Sequence, residues 1–314
     1  MSFDSSPKAD SESRVGGRMG ASRIAVVVAS TGRPEELGRW RDHILRQTLQ
    51  PSRFVFAVVK PSDLPPAESL LPFAEILYCS PGLPVQRNAA LELLLGSADI
   101  IAFFDDDYVP SAYCIEGIEH FFRQHPAVVA VNGLLLADGI NSAGIPYEEA
   151  ISLVDANDRN GMPEAKVVCS LDGLYGCNMV YRSAAIGAER FDENLPLYAW
   201  QEDIDFAARV GRRGSLALTT AFAGVHQGVK AARLAGVRLG YSQIVNPVYL
   251  MKKGTLSIRA GIRLIARNLL MNHARAFKPE PWIDRRGRCK GNWIGILDLV
   301  IGRDHPKNIL SIRQ

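Results

Sequence analysis

The stretch "DIIAFFDDDYV" (residues 99–109) decides the fold, because it sets three consecutive carboxylates directly behind an apolar run. The apolar run has the length and composition of a strand buried on both faces of a parallel sheet. Asp105, Asp106 and Asp107 then follow the carboxyl end of that strand, where open α/β sheets bind their ligands. Carboxylates at positions i and i+2 can share a hard divalent ion such as Mg²⁺ or Mn²⁺. A solvated acidic turn is the alternative, which the position of the triplet at the ligand-binding end of a strand disfavours, although a DxD pattern alone is a weak signal.

Strand-like and helix-like segments alternate upstream of the triplet. Strands are predicted for "RIAVVVAS" (23–30), residues 53–59 and residues 75–79, and helices for residues 31–47 and 84–96. This alternation is typical of an α/β protein with a doubly wound sheet. Downstream, we expect a helix that starts at Ser111 and runs to about 124, a strand near 127–135, a strand and short helix within 172–186, a helix over 198–214, and a strand that leads to His226.

The charge of the chain is distributed unevenly. Residues 252–314 carry 14 Lys and Arg against 4 Asp and Glu, a net charge of +10, whereas the rest has 36 − 14 = 22 bases against 33 − 4 = 29 acids, or −7. Within this segment, "TLSIRAGIRLIARNLLMNHARAF" (255–277) predicts a basic amphipathic helix. Its apolar face either meets an anionic membrane surface or packs on its own domain. Nucleic acid is not expected as a partner, because no nucleic-acid motif or recurring aromatic pattern accompanies the charge.

These patterns predict three regions. Residues 1–22 form a polar, disordered leader, residues 23–251 the α/β domain, and residues 252–314 the basic C-terminal segment. Within the domain, residues 138–165 lose periodicity and gain Gly, Asn, Asp and Pro, which predicts a long surface excursion. The five cysteines are scattered and show no CxxC spacing, which favours free thiols in a reducing cytosol. The sequence shows no signal peptide and no apolar run of ~18 residues. We therefore expect a cytoplasmic protein, peripheral at most on the inner face of the membrane.

Several motifs together resemble those of glycosyltransferase family 2, whose members have the GT-A fold and invert the anomeric configuration of the transferred sugar. "VVASTGRP" is similar to the family's first strand and nucleotide-binding loop, and "QRNAAL" (86–91) to its "ARN" helix start. "DGLYGCNMVYR" resembles the glycine-bearing acceptor loop, and "QED" (201–203) the catalytic xED motif. The resemblance covers about residues 23–250. It implies a GT-A type doubly wound mixed sheet, with a nucleotide-binding half and an acceptor half, before the basic helical C-terminal segment.

On the donor side, the resemblance implies that Thr31 and Arg33 line the nucleotide pocket and that Arg87 lies near the base or diphosphate. Asp63 is a candidate contact of the base, although "VVKPSDLPP" replaces the family's acidic-Gly-Ser turn. From the residues alone, Thr31 could be only a helix cap and Arg87 a surface residue of its helix.

The resemblance assigns the carboxylate triplet to the donor and its metal. Asp105 or Asp106 would contact the ribose. Asp107 and His226 would hold Mn²⁺ or Mg²⁺, and Asp105 is a further candidate ligand of the metal. His226 could alternatively be a core histidine with its hydrogen bonds satisfied. A metal suits this chemistry, because it neutralises the charge that develops on a departing nucleoside diphosphate.

For catalysis, the resemblance implies that Asp203 is the general base and that Glu202 orients it or contacts the acceptor. A carboxylate within hydrogen-bond reach is needed to take the proton of the attacking hydroxyl. Both residues could otherwise be first-turn carboxylates that the helix dipole favours. The implied reaction transfers one hexose from a nucleotide sugar to a carbohydrate or lipid-linked acceptor, in exopolysaccharide or cell-envelope glycan assembly. No "QxxRW" occurs, so a processive synthase is not indicated.

Two other functions compete with this interpretation. "FFDDDYV" also fits the D-x-D-x-V pattern of haloacid-dehalogenase-type phosphohydrolases, with Asp105 as nucleophile and Asp107 as acid. That family places its nucleophile on the first strand of the core domain, whereas other strand units come first here. A non-catalytic sugar-binding module is the second alternative. It is disfavoured because candidate metal ligands and a candidate base are both present.

Overall fold

The computed structural model of the protein describes residues 22–230 and 236–312, so nearly all of the predicted leader (1–22) lies outside the described residues. The described strands form one mixed sheet in the order β3-β2-β1-β4-β8-β6-β9-β5, and β7 also pairs with β9. Their bounds are β1 Ile24–Ala29, β2 Arg53–Val58, β3 Ala74–Tyr78, β4 Ile100–Asp105, β5 Tyr108–Pro110, β6 Val128–Asp138, β7 Val167–Ser170, β8 Asn178–Arg182 and β9 Ser215–His226.

Helices cover both faces of the sheet, as the doubly wound prediction requires. The helices are α1 Pro34–Leu45, α2 Leu83–Leu94, α3 Cys114–Gln124, α4 Tyr147–Asp158, α5 Ser183–Ile186, α6 Glu202–Val210, α7 Gly236–Lys253, α8 Ile258–Arg275 and α9 Arg285–Val300. Successive residues of β1 enter two separate cores, since Val26 packs with Trp40 of α1 and Val27 with Leu91 of α2. The strand is therefore apolar throughout because both of its faces are buried.

The sheet changes direction next to its central strand. Strands β1, β2, β3 and β4 are parallel, whereas β8 runs antiparallel to both β4 and β6. Ala29 at the end of β1 pairs with Asp105 at the end of β4. The loops that follow these two strands therefore leave from one edge of the sheet, as predicted.

The prediction of an aperiodic surface excursion over 138–165 was wrong in one respect, because this stretch contains helix α4. Ala150 and Val154 of α4 are fully buried and pack against Val109 and Val225. The predicted helix near 111–124 does exist, but it begins at Cys114. Ser111 instead donates a hydrogen bond to Asp158, at the end of α4.

Three helices complete the chain, of which only α8 was predicted. Helices α7 and α9 cross at glycines, since a Cβ on Gly291 would lie 1.9 Å from the carbonyl oxygen of Val237. Lys253 at the end of α7 forms ion pairs with Asp192 and Asp205 of the α/β region. The predicted boundary between residues 251 and 252 falls within α7, and the division into domains stays a prediction. None of the helices in the described parts of the chain is long and apolar enough to cross a membrane.

Candidate active site

Three of the predicted site residues form a cluster at the carboxyl edge of the sheet. Carboxylate oxygens of Asp105 and Asp107 and a ring nitrogen of His226 all lie within 4.8 Å of one another. Strand β5 pairs antiparallel with β9, and the Tyr108–His226 pair in this register brings the end of β9 beside the triplet. Two carboxylates and an imidazole at this spacing fit one divalent ion. Carboxylate oxygens suit Mg²⁺ or Mn²⁺, and the imidazole is compatible with a transition metal.

His226 is oriented toward this cluster by contacts on its other ring nitrogen. Its Nδ1 lies 2.8 Å from Oδ1 of Asp138 and 3.2 Å from the Tyr175 hydroxyl, while Nε2 lies 3.4 Å from Oδ1 of Asp107. Burial lowers the pKa of His226, but its hydrogen bonds with Asp107 and Asp138 raise it to about 10. A carboxylate behind a ligating imidazole fixes the ring and is a common feature of metal sites. Both ring nitrogens of His226 have partners in this structure, as the alternative of a core histidine with satisfied hydrogen bonds requires, and its role as a metal ligand stays a prediction.

The middle carboxylate of the triplet has different partners. Asp106 accepts a 2.7 Å hydrogen bond from Nη1 of Arg33 and another from the Ser30 hydroxyl, and its carbonyl oxygen accepts one from Trp40. It is therefore held by the loop after β1 and by helix α1. The triplet is thus divided, with Asp105 and Asp107 in the cluster and Asp106 bound to Arg33.

Thr31 and Asp63, two further residues predicted to lie on the donor side, are hydrogen-bonded to each other. Asp63 is fully buried, and its carboxylate accepts hydrogen bonds from the backbone N–H groups of Gly32, Val59 and Lys60 and from the Thr31 hydroxyl. This carboxylate joins the loops that follow β1 and β2. A role for Thr31 and Asp63 in nucleotide binding stays a prediction.

Arg87 is buried and connects the triplet to helix α6, so its interpretation as a surface residue was wrong. Its guanidinium donates a 3.0 Å hydrogen bond to Asp105 and another to Glu202, and its Cζ lies 5.9 Å from the ring centroid of Phe103 and 5.5 Å from that of Phe191. Burial raises the pKa of Glu202, against the lowering effect of Arg87. The second oxygen of Glu202 has no hydrogen-bond partner among the described residues. In this structure Arg87 thus positions carboxylates from two distant segments.

Asp203 follows Glu202 in the first turn of α6. Its Oδ2 accepts a 2.8 Å hydrogen bond from the Gly176 backbone and its Oδ1 one of 2.9 Å from Ile204. Burial raises the pKa of this carboxyl. The chain enters α6 through residues in the left-handed backbone region, with φ of 50° at Ala199 and 75° at Gln201. Such strained positions concentrate at functional sites, and here they precede the two candidate catalytic carboxylates.

A cavity of about 510 Å³ opens beside Asp203. Tyr175 and Asp203 both contribute to its wall, and the Tyr175 hydroxyl also contacts His226. The cavity therefore lies between the candidate base and the side chains behind the metal cluster. The other lining residues are Asn132, Gly133, Leu134, Leu135, Leu171, Gly173, Leu174, Asn178, Ile204 and Leu218.

Sequence reasoning missed Asp138 and Tyr175. Asp138 pairs in register with His226 across β6 and β9, but the sequence does not show which strands are neighbours. Tyr175 lies within the predicted acceptor loop "DGLYGCNMVYR", but no role was predicted for it. Its hydroxyl, in a glycine-bearing loop near a predicted acceptor site, was the feature of the sequence that could have identified it.

Comparison with solved structures identifies similar folds. The chain is similar to residues 1–349 of TarS from S. aureus, with 13% sequence identity and a TM-score of 0.50, covering 91% of this chain and 82% of that one. Glucosyl-3-phosphoglycerate synthase from Mycobacterium tuberculosis, in complex with Mn²⁺, UDP and glucosyl-3-phosphoglycerate, has 17% identity and a TM-score of 0.47, covering 74% and 80%. The similarity to TarS confirms the predicted mixed α/β fold of GT-A type. No protein-family model and no curated protein sequence matches the chain.

Proposed function

We propose that the protein is a metal-dependent, inverting glycosyltransferase that moves one hexose from a nucleotide sugar to a hydroxyl acceptor. One observation carries the proposal. Asp203, a half-buried carboxylate, lines a cavity together with Tyr175, and the Tyr175 hydroxyl contacts His226 of the cluster that also contains Asp105 and Asp107. Arg87 joins the two parts by binding both Asp105 and Glu202. This arrangement supports donor and acceptor sites side by side at the carboxyl edge of the sheet, where open α/β sheets bind their ligands.

The base is poised for a single proton transfer. Asp203 accepts the acceptor's hydroxyl proton as the hydroxyl oxygen forms its bond to the anomeric carbon, and the bond from that carbon to the diphosphate oxygen breaks. The diphosphate leaves with the electron pair on the opposite face, so the anomeric configuration is inverted. Two backbone N–H groups fix the orientation of Asp203, and burial raises its pKa, which makes it a better proton acceptor than an exposed aspartate.

The donor side is carried by the triplet and its partners. Asp105, Asp107 and His226 would hold Mn²⁺ or Mg²⁺, which supplies charge neutralisation for the diphosphate when bound. Arg33, 2.7 Å from Asp106, lies at the loop that we assign to the nucleotide with Thr31 and Asp63. Arg87 keeps Asp105 in place, and Asp105 or Asp106 would contact the ribose. Exopolysaccharide or cell-envelope glycan assembly is the proposed setting.

Thermal-shift screening of nucleoside diphosphates, with and without Mn²⁺, tests this function. We expect at least one diphosphate to raise the melting temperature only when the metal is present, because ligand binding stabilises the folded state by mass action. Absence of any such metal-dependent shift counts against the proposal. Phosphatase activity that Asp105→Asn abolishes would instead support the haloacid-dehalogenase-type alternative.

The C-terminal helices carry a separate proposal, that the protein lies on the inner face of an anionic membrane. Helix α8 exposes Ile258 (68%) and Ile262 (58%) beside Arg259 and Arg263, so the described residues leave the first turns of its apolar face uncovered. Helix α9 and the residue that follows it expose a second apolar stripe, Trp293, Leu297, Val300 and Ile301. The Trp293 ring contacts His273 of α8, which joins the two helices at this surface. Apolar side chains among basic ones match the chemistry of an anionic lipid surface.

Vesicle sedimentation tests the membrane proposal. Binding to vesicles with anionic phosphatidylglycerol should exceed binding to phosphatidylcholine vesicles and weaken as salt rises. Trp293→Ser with Leu297→Ser should reduce it, whereas Leu45→Ser, which alters an equally exposed leucine on α1, should not. Equal binding by both variants would exclude this face as the docking surface.

A further inference from the structure

The cavity beside Asp203 is apolar over most of its wall. Six of its lining residues are leucine or isoleucine, contributed by β6, β9, helix α6 and the loop before β8: Leu134, Leu135, Leu171, Leu174, Ile204 and Leu218. Leu174 is fully buried, while the other five keep part of their surface open. At about 510 Å³, the cavity has the size of an ordinary small-molecule site.

The amide side chains in the wall are already engaged. The Nδ2 of Asn132 donates to the Tyr175 carbonyl at 2.8 Å and to Oδ1 of Asn178 at 2.7 Å, while its Oδ1 accepts from the Tyr175 N–H at 2.8 Å. The Nδ2 of Asn178 donates to the carbonyl of Gly133 at 3.1 Å. These hydrogen bonds tie the walls together. They use the donors that a polyhydroxylated ligand would need.

The remaining polar groups are concentrated at one side. The Tyr175 hydroxyl contacts His226 and Asp138, which assigns it to the metal side of the cavity. Asp203 accepts two backbone hydrogen bonds, and an ionised carboxylate can accept more. The cavity therefore presents one hydrogen-bond acceptor next to the reacting centre and an apolar surface beyond it.

We propose that the cavity binds an acceptor that presents its reactive hydroxyl to Asp203 and places an apolar aglycone against the leucine and isoleucine wall. This inference rests on the proposed glycosyltransferase function. A second sugar in place of the aglycone would bury several hydroxyls without partners, and each unpaired polar group costs free energy. An alkyl or aryl group instead gains from leaving water, by about fourfold in affinity for each buried methylene. The acceptor class is thus an alcohol or glycoside with an apolar aglycone.

The test compares methyl and hexyl β-glucoside, below the concentration at which the latter forms micelles, by calorimetric titration of the full chain. We expect hexyl glucoside to bind at least about tenfold more tightly. Leu218→Gln should remove most of this preference, because it makes the cavity wall polar. Leu93→Gln is the matched control, since Leu93 is exposed on α2 and does not line the cavity.

Exposed apolar residues of α8 and α9 could also attract the hexyl chain, and the Leu218→Gln variant separates these sites. A preference unchanged in Leu218→Gln would overturn the inference, as would equal affinities for the two glucosides in the wild-type protein. Leu171→Gln is a second wall variant if Leu218→Gln does not fold. The rise in melting temperature that nucleoside diphosphates cause in the presence of Mn²⁺ is measured on the same samples. If it is present while the hexyl preference is absent, only the acceptor inference fails; if it is absent, the proposed function fails.

Discussion

Nε2 of His226 lies 3.4 Å from Oδ1 of Asp107, so the end of the last strand of the sheet meets the acidic triplet that follows β4. Asp105 adds a second carboxylate within 4.8 Å. Each of these residues alone has an unremarkable structural interpretation. Their convergence from two strands is the observation on which the proposed divalent-metal site rests.

Removal of one ligand should abolish the effect of the metal. In Asp107→Asn, we expect the Mn²⁺-dependent rise in melting temperature to be lost, because a neutral amide is a weaker ligand than a carboxylate and the cluster retains only Asp105 and His226. Differential scanning fluorimetry with and without Mn²⁺ measures this. Asp42→Asn, at an exposed position of α1, is the control and should respond as the wild type does. A full response in Asp107→Asn would exclude the residue as a ligand.

Substitution of the proposed base should separate catalysis from binding. Asp203→Asn keeps the shape of the side chain but cannot take a proton, so the rate of sugar transfer should fall by about 10²- to 10⁴-fold. Diphosphate binding in the presence of Mn²⁺ should stay within about twofold, since Asp203 lies in the cavity wall outside the metal cluster. Kinetics and calorimetry on the same preparation check both. Retained transfer would mean that another group acts as base.

Arg87 should matter for stability as well as for the site. Arg87→Met leaves Asp105 and Glu202 without their shared cation, and loss of one partner of a buried ion pair costs about 3–5 kcal/mol. Urea unfolding should show this loss, and adding Glu202→Gln should recover part of it because one buried charge is then removed. Arg23→Gln breaks an exposed pair with Asp99 and should change stability little. A similarly small effect of Arg87→Met would contradict the structural role.

Stability in acid should depend on Asp192. Burial raises the pKa of Asp192, but hydrogen bonds from Lys253, the Asn194 backbone and Tyr249 lower it to about 2. Because the folded-state pKa lies below the unfolded value, the contribution is present above about pH 4 and is lost as the pH falls toward 2. Asp192→Asn should therefore be less stable by about 1 kcal/mol at pH 6, after allowance for partial solvent screening, and the difference should shrink at pH 3. Urea titrations at the two pH values test the sign, and a difference that grows in acid would refute it.

The crossing of α7 and α9 gives a steric prediction. Gly291→Ala would place a Cβ 1.9 Å from the Val237 carbonyl oxygen, so the helices must separate, at a cost of about 1–3 kcal/mol. Gly38→Ala, in α1, would meet its nearest atom at 3.4 Å and should be neutral or stabilising by up to about 1 kcal/mol. Thermal unfolding distinguishes them. Equal effects would mean that the helices do not approach this closely.

Local patterns explain how much of this architecture could be predicted. The buried strands and the triplet can be predicted because each apolar run and the charged residues that end it are contiguous in the sequence. Helix α4 was missed although Ala150, Ile151 and Val154 recur at helical spacing and pack in one cluster, because the Gly, Asn, Asp and Pro residues around them dominate the composition of the stretch. Helix α9 contains Gly287, Gly291 and Gly295, which in a sequence resemble breaks rather than the surface of a close helix crossing.

Long-range partners were harder to predict than elements. Asp138 supports His226 through the pairing of β6 with β9, a register that no local pattern encodes. Asp63 is a further example, because the sequence shows an acid after a strand but not that its carboxylate accepts hydrogen bonds from backbone N–H groups of two loops. Its contact with a nucleotide base stays a prediction, since only the fold shows which carboxylates near the site bind backbone groups.

The most direct test of the glycosyltransferase proposal is the release of nucleoside diphosphate from a panel of nucleotide sugars, with hexyl glucoside as acceptor and with Mn²⁺ or EDTA. The proposal predicts release from at least one donor with Mn²⁺, none with EDTA, and a rate at least about 100-fold lower in Asp203→Asn. Release that persists in EDTA, or an Asp203→Asn variant as active as the wild type, would contradict it.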